Sequence, residues 1–343
     1  MTAITDNAAS PGSGPGKERG ADSRGGLRRA VVGSEVIGIL APVVLVAAAM
    51  TILFPGFASP FNVDALLATI AVTSLVGLAQ LAVLAVGQFN LALPAMGAFT
   101  GMVLGWMLQI GGVNWLPAVA IALAFSLALG VAQGFLIVVV RLNSFIVTLG
   151  LASAYYGLMY VVLGNERYQK IGAALPLIGR GAVGVFPNIF LISMVVCAAV
   201  WVFVGLTVPG RRLLATGANP LAARFSALPV KRTTIGAHAL SGALAGAAAI
   251  LVVGRLAVGS PAIGQDWLLS SFAAPVLGGT LLSGGKISVL GTVLGAALLA
   301  MIANALVIVG VNQYWYQAGL GLIILGAVGL DQLRLRLLTS GRL

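Results

Sequence analysis

The chain has 343 residues, 59% of them hydrophobic and only 8% charged, with a formal net charge of +11. Soluble domains average about 25% charged residues, so a large water-soluble protein is excluded. A nucleic-acid partner is excluded too, because the basic residues sit in short segments between apolar runs, where positive charge gathers on the cytoplasmic face of a membrane protein.

Residues 1–29 include PGSGPGKERGADSRGG, a stretch too polar and too rich in Gly, Pro and Ser to bury a core. They read as a disordered cytoplasmic tail, leaving 30–343 as the membrane domain. No signal peptide is expected, since the apolar stretch after Arg28 and Arg29 is of span length and no small-residue cleavage site follows it. The apolar runs beyond are continuous, whereas a membrane β-barrel would alternate over short segments. The expected fold class is therefore an all-α integral membrane protein with about ten transmembrane helices. The candidate spans are 34–54, 64–86, 91–110, 115–140, 144–163, 188–208, 234–253, 267–283, 287–309 and 316–332.

Charge tests this layout. With the N-terminus inside, all but four of the nineteen Lys and Arg residues fall on the cytoplasmic side; the exceptions are Arg167, Lys170, Arg180 and Arg255. The asymmetry places both termini in the cytoplasm. Losing one span midway would put the basic cluster of 211–232 outside. Small residues recur at intervals of four, at Gly97, Gly101 and Gly105, at Gly242 and Gly246, and at Gly291 and Gly295. Such faces bring helices close together, either inside one subunit or across a homodimer seam. Gly87-Gln88 and Gly264-Gln265 echo one another at the entries to oppositely directed spans, which makes an inverted repeat a candidate organisation.

Catalytic chemistry finds no support. The single histidine, His238, reads as a packed or hydrogen-bonded residue, and the single cysteine, Cys197, as a buried packing thiol. No span carries paired carboxylates, and there is no His/Cys metal spacing. TLLSGGKI at 280–287 misses the phosphate-loop pattern, with Thr280 where Gly is needed and Ile287 where Ser or Thr is needed. No acidic residue lies in the middle of a span, which disfavours proton or sodium coupling and points to an uncharged cargo moved by an energy source outside this chain. The interior is polar without charge: Gln80, Gln88, Asn90, Gln133, Thr148 and Asn304 are among the amides and hydroxyls that would suit a polyhydroxylated solute.

The connection 209–232, PGRRLLATGANPLAARFSALPVKR, holds a helix start at Asn219-Pro220 and a stop at Pro229. The resulting helix is too short to stand alone, which favours a docking element over a solvated loop or an interfacial anchor.

Three ordered stretches carry a resemblance: FIVTLGLASAYYGLMYVVLGN at 145–165, GRRLLATGANPLAARFSALPVKR at 210–232 and VLGGTLLSGGKISVLGTVLGA at 276–296. Together they resemble the permease subunits of bacterial ATP-binding cassette importers of the ribose/galactose/xylose type, over about residues 36–334. The resemblance implies a type II importer-like permease that is not itself an enzyme and holds no cofactor or metal, ATP and Mg residing on partner ATPase subunits. It implies an extracytoplasmic sugar-binding protein, a second permease subunit, identical or not, and a place in the bacterial inner membrane. Asn219, Pro220, Ala222, Ala223, Arg224, Phe225 and Ser226 become the coupling helix that docks on the ATPase. GQFNLALPAMG at 87–97 matches the family pattern in part, with Asn90 in place of an acid, Ala92 in place of Ser and Pro94 in place of Gly. Gly87 and Pro94 are the expected helix break. Gln88, Phe89 and Asn90, with Thr148 and Asn304, are the expected substrate pathway. The expected function is translocation of a neutral sugar or polyol by alternating access. A nucleoside, a quorum-signal furanose or a branched-chain amino acid remains the alternative cargo, and a stand-alone carrier or channel the alternative class.

Overall fold

A computed structural model describes residues 22–312, 315–322 and 325–326 of the chain. Residues 1–21 of the expected tail, and the end of the last expected span, lie outside them. The helices in chain order are α1 (Asp22–Leu53), α2 (Pro60–Leu84), α3 (Leu93–Gln109), α4 (Trp115–Val140), α5 (Ser144–Leu163) and α6 (Ala174–Arg180). A small antiparallel hairpin follows, β1 (Ala182–Val183) and β2 (Phe186–Pro187). Then come α7 (Asn188–Leu206), α8 (Val208–Ala218), α9 (Pro220–Phe225), α10 (Val230–Leu256), α11 (Trp267–Leu277) and α12 (Val289–Val309). Helix α1 begins inside the stretch read as tail.

Among the described residues, six helices, α2, α4, α5, α7, α10 and α12, are long and apolar enough to cross a membrane. Helix α3 has 17 residues. Helix α11 has only 11, about 16 Å of rise against a hydrocarbon core of about 30 Å. The expected eighth span, 267–283, is thus helical only in its first part. Pro275 cannot donate within the helix, and Gly279 turns to φ +77, so the helix closes at Leu277.

Helix α2 is the central post. It packs on α7, α10, α11 and α12, and Leu75, Val76, Leu78, Ala79, Val83 and Leu84 are fully buried. Helix α10 lies beside it, pressed against α4. The outer helices α4, α5 and α7 invert the pattern of a soluble bundle. Only 28% of each apolar window is buried, and Phe135, Val139, Ile146, Val161 and Val195 face outward. Such a surface is untenable in water and costless in lipid, where small-residue packing and interhelical hydrogen bonds hold helices together instead. Helix starts are fixed by side-chain caps: Asn143 accepts from Phe145 N at 2.9 Å and Ser288 from Gly291 N at 3.0 Å. Each such cap contributes about 1 kcal/mol.

The helices run so that the molecule has two ends of different character. At one end the close of α2 meets the connection 209–232 and the turn 280–287. At the other, Asp64 near the start of α2 is ion-paired with Arg255 at the close of α10, and Tyr168 bridges Gly259.

Candidate functional site

Between α2 and α3 the chain leaves the helix for residues 85–92, and every backbone N–H from Ala85 to Ala92 has a partner. Ala85 N donates to Leu81 O at 2.9 Å and Val86 N to Val83 O at 3.1 Å. Gly87 N donates to Leu84 O at 2.9 Å and Gln88 N to Val83 O at 3.0 Å. Beyond Gln88 the acceptors are side chains. Phe89 N donates to Ser144 Oγ at 3.2 Å, and Leu91 N to Thr148 Oγ1 at 3.1 Å, both on the first turns of α5. Asn90 N and O are both taken by the Gln80 amide, oriented to match them, at 3.3 and 3.0 Å. Ala92 N donates to Asn90 Oδ1 at 3.0 Å. Buried non-helical backbone is tolerated only when it is satisfied in this way.

The chain is non-helical over 85–92; Gly87 lies within this stretch and Pro94 just beyond it, in α3. Gly87 holds φ +70, a conformation glycine adopts without penalty. A Cβ there would also sit 3.0 Å from Ser283 O. Pro94 lies in the first turn of α3, where its missing N–H costs nothing. Phe89 is half-buried, its ring 5.9 Å from that of Phe272 on α11.

The expected pathway residues do not share one role. Gln88 and Phe89 are partly exposed at the break. Thr148 is fully buried and supports the break from α5. Asn90 differs from the expectation of a solute contact. It is fully buried, with Oδ1 on Ala92 N and Nδ2 on Ser241 Oγ at 3.0 Å, so its hydrogen-bonding capacity is used inside the fold. Asn304 is also apart from the break. It exchanges hydrogen bonds with Asn62 at 2.7 and 3.1 Å and lines a cavity of about 770 Å³ at the opposite end, with Arg167, Arg255, Asp266 and Trp267.

The connection 209–232 is built from two short helices. Thr207 caps α8 through Gly210 N, and Asn219 caps α9 through Ala222 N at 3.0 Å. Pro220 opens α9, Ala222 and Ala223 form its turn, and Ser226 closes it, its N–H on Ala222 O. Ala223 is buried. Leu221, Arg224 and Phe225 point outward, Phe225 at 90% exposure. Gly217 at the end of α8 lies directly against the Ala85 carbonyl, which also accepts from Gly285 N at 3.2 Å. A Cβ at Gly284 would come within 2.6 Å of Gly87 N. The glycine doublet of TLLSGGKI is thus a packing turn, wedged between α8 and the break. Among the described residues, no group of three or more His, Cys, Asp or Glu could hold a metal ion.

Residues 62–328 match the family described as branched-chain amino acid transport system / permease component. The chain belongs to this permease family. The ribose import permease of Escherichia coli K12 is 32% identical over 298 residues, covering 85% of this chain and 92% of its own. The L-arabinose transporter permease of Azospirillum brasilense is 29% identical over 322 residues, covering 92% and 91%. The fructose import permease of Rhizobium meliloti is 28% identical over 284 residues, covering 80% and 79%. No solved structure matches the permease. As a permease component it is the membrane part of an ATP-binding cassette importer and not itself an enzyme.

Two partners of the break in this permease, Ser144 and Ser241, were not singled out from the sequence, and His238 reads from it as packed or hydrogen-bonded without a named partner. Ser144 had a local signal, since it follows the cap Asn143 and opens α5. Ser241 and His238 stand three apart on α10 and meet Asn90 and Gln88. That spacing marks one helix face, but nothing local says which loop the face touches.

Proposed function

We propose that the permease carries a neutral sugar or polyol across the bacterial inner membrane, with the break at 87–90 as part of the pathway. The observation that carries this reading is the break itself. It is non-helical backbone between two packed helices, satisfied by hydroxyls and amides, with no charged side chain among its hydrogen-bond partners. That chemistry suits a hydroxylated, uncharged solute. The sugar-import relatives support the same cargo class.

In this reading Gln88 and Phe89 line the pathway, Thr148 and Asn90 hold its shape, and Asn304 belongs to the wall of the far cavity. Residues 219–226 form the coupling helix. Its exposed Phe225 and Leu221 dock on an ATPase subunit that binds ATP and Mg, and α8 passes the motion to Ala85 and the break. The layout is about ten spans with both termini cytoplasmic, α11 being a half-length element. The Gly87 and Gly264 turns, at φ +70 and φ +85, support an inverted repeat. A second permease subunit and an extracytoplasmic binding protein complete the machine.

The test is reconstitution in proteoliposomes with and without the ATPase. Uptake of labelled ribose, L-arabinose or fructose is expected only with ATPase, binding protein and ATP together. Uptake by the permease alone would replace this reading with a stand-alone carrier. The family is described as a branched-chain amino acid transport permease, which favours a second cargo, a branched-chain amino acid. A binding screen of the cognate binding protein against leucine and against the three sugars separates the two.

A further inference from the structure

A buried polar chain runs from α4 through α10 to the break. Gln133 on α4 and His238 on α10 are both fully buried. Gln133 Nε2 is 2.7 Å from His238 Nδ1, and His238 Nε2 is 2.8 Å from Gln88 Oε1. With Gln133 donating and Gln88 accepting, the ring is neutral and carries its proton on Nε2. The helices are brought unusually close for this. A Cβ at Gly134 would lie 2.8 Å from Ile235 Cα and 3.0 Å from His238 Cβ, and one at Gly130 would run into the His238 carbonyl. One helical turn further along, Ser126 Oγ donates to Gly242 O at 2.7 Å, so the contact is locked on both sides of the histidine.

Two buried polar side chains cost stability that an apolar pair would not. The cost is visible in Gln133 Oε1, which has no partner among the described residues. The chain ends on a partly exposed group, Gln88. Its Oε1 is held by His238, while its Nε2 has no protein partner among the described residues. The amide is thereby fixed in one of its two orientations, with the NH2 free.

We propose that His238, itself set by Gln133, is a positioning residue that fixes the Gln88 amide so that the pathway presents a hydrogen-bond donor to an acceptor oxygen of the solute. The inference rests on the pathway reading of residues 87–90. Without His238 the amide rotates freely and presents donor and acceptor by turns, which weakens recognition of a hydroxyl or ring oxygen and leaves the rest of the cycle intact.

The full complex, with binding protein and ATPase, tests this through uptake of labelled ribose, L-arabinose and fructose. His238→Leu is expected to raise KM about five- to tenfold with kcat within about twofold, the loss of one oriented hydrogen bond. His238→Gln keeps a donor near the Nε2 position and is expected to recover most of the KM. Gln133→Leu is expected to give a smaller rise in KM of the same kind. Because the chain has a single histidine, 15N-histidine labelling of the permease alone reports on His238 without assignment. The expected signature is the neutral Nε2–H tautomer, with Nδ1 hydrogen-bonded in the parent protein and unpaired in Gln133→Leu. An Nδ1–H tautomer or an imidazolium at neutral pH overturns the inference. So does a His238→Leu variant that assembles and keeps its KM while Gln88→Ala raises it. If Gln88→Ala itself leaves KM unchanged, the pathway reading beneath the inference fails instead.

Discussion

The two ends of the permease are held together by different means. At the end carrying the break, backbone lies on backbone: Gly217 on Ala85, Gly285 on Ala218, Gly284 on Gly87. At the other end, backbone contacts such as Gly179 on Gly254 and the Tyr168–Gly259 bridge are joined by side chains that span gaps. Asp64 pairs with Arg255, Asn62 with Asn304, and Arg180 reaches the carbonyls of Arg255 and Leu256 at 2.9 and 3.1 Å. Contacts of the first kind move as one body, because no side chain can flex to absorb a displacement. Contacts of the second kind can be exchanged singly. An element that must pass on force belongs at the first end, and one that must open to admit a solute belongs at the second.

The sharpest way to break this comparison is at Gly217. Gly217→Leu drives a side chain into the Ala85 carbonyl, and ATP-driven uptake is expected to fall by more than about tenfold. Normal uptake by an assembled variant would mean that α8 and the break are not mechanically joined. Next comes Phe225, whose side chain is 90% exposed and contributes little to the fold. Phe225→Ala is expected to weaken co-purification of the ATPase about tenfold while the permease keeps its thermal stability. At the opposite end the effects are smaller and of another kind. Asp64→Asn leaves Arg255 without its ion pair and is expected to cost about 1–2 kcal/mol in thermal unfolding. Uptake should stay within about twofold, since an exchangeable bridge is lost and not a rigid one. Smallest is Asn304→Ala, which removes the reciprocal pair with Asn62. It is expected to cost about 1 kcal/mol and leave KM within about twofold. A large rise in KM there would move the recognition site from the break to the cavity.

Much of the helix layout was legible because lipid-facing helices must be continuous apolar runs, and the capped starts at Asn114, Asn143 and Ser288 mark where they begin. The length of α11 was not, because an apolar run looks the same whether it crosses the membrane or stops at Pro275 and Gly279. In the site, the positive φ of Gly87 and the first-turn place of Pro94 in α3 follow from what those residue types permit. The roles of Asn90 and Asn304 were hidden for the opposite reason. A buried amide that braces a turn and one that greets a solute are the same residue type in the sequence. Only long-range partners, Ser241 for one and Asn62 for the other, tell them apart.

The hydroxyls of Ser144 and Thr148 have a chemical counterpart in the proposed cargo. They accept from Phe89 N and Leu91 N, and a sugar hydroxyl could accept from the same two groups. Drawing α5 away with nothing in its place would strand two N–H donors, each a loss of about 1–3 kcal/mol. Drawing it away while a polyol slips in behind trades one hydroxyl for another and keeps the tally of hydrogen bonds constant. On the proposed pathway, helix α5 would be a stand-in for the solute, its departure cheap only when a molecule like itself is there to take over.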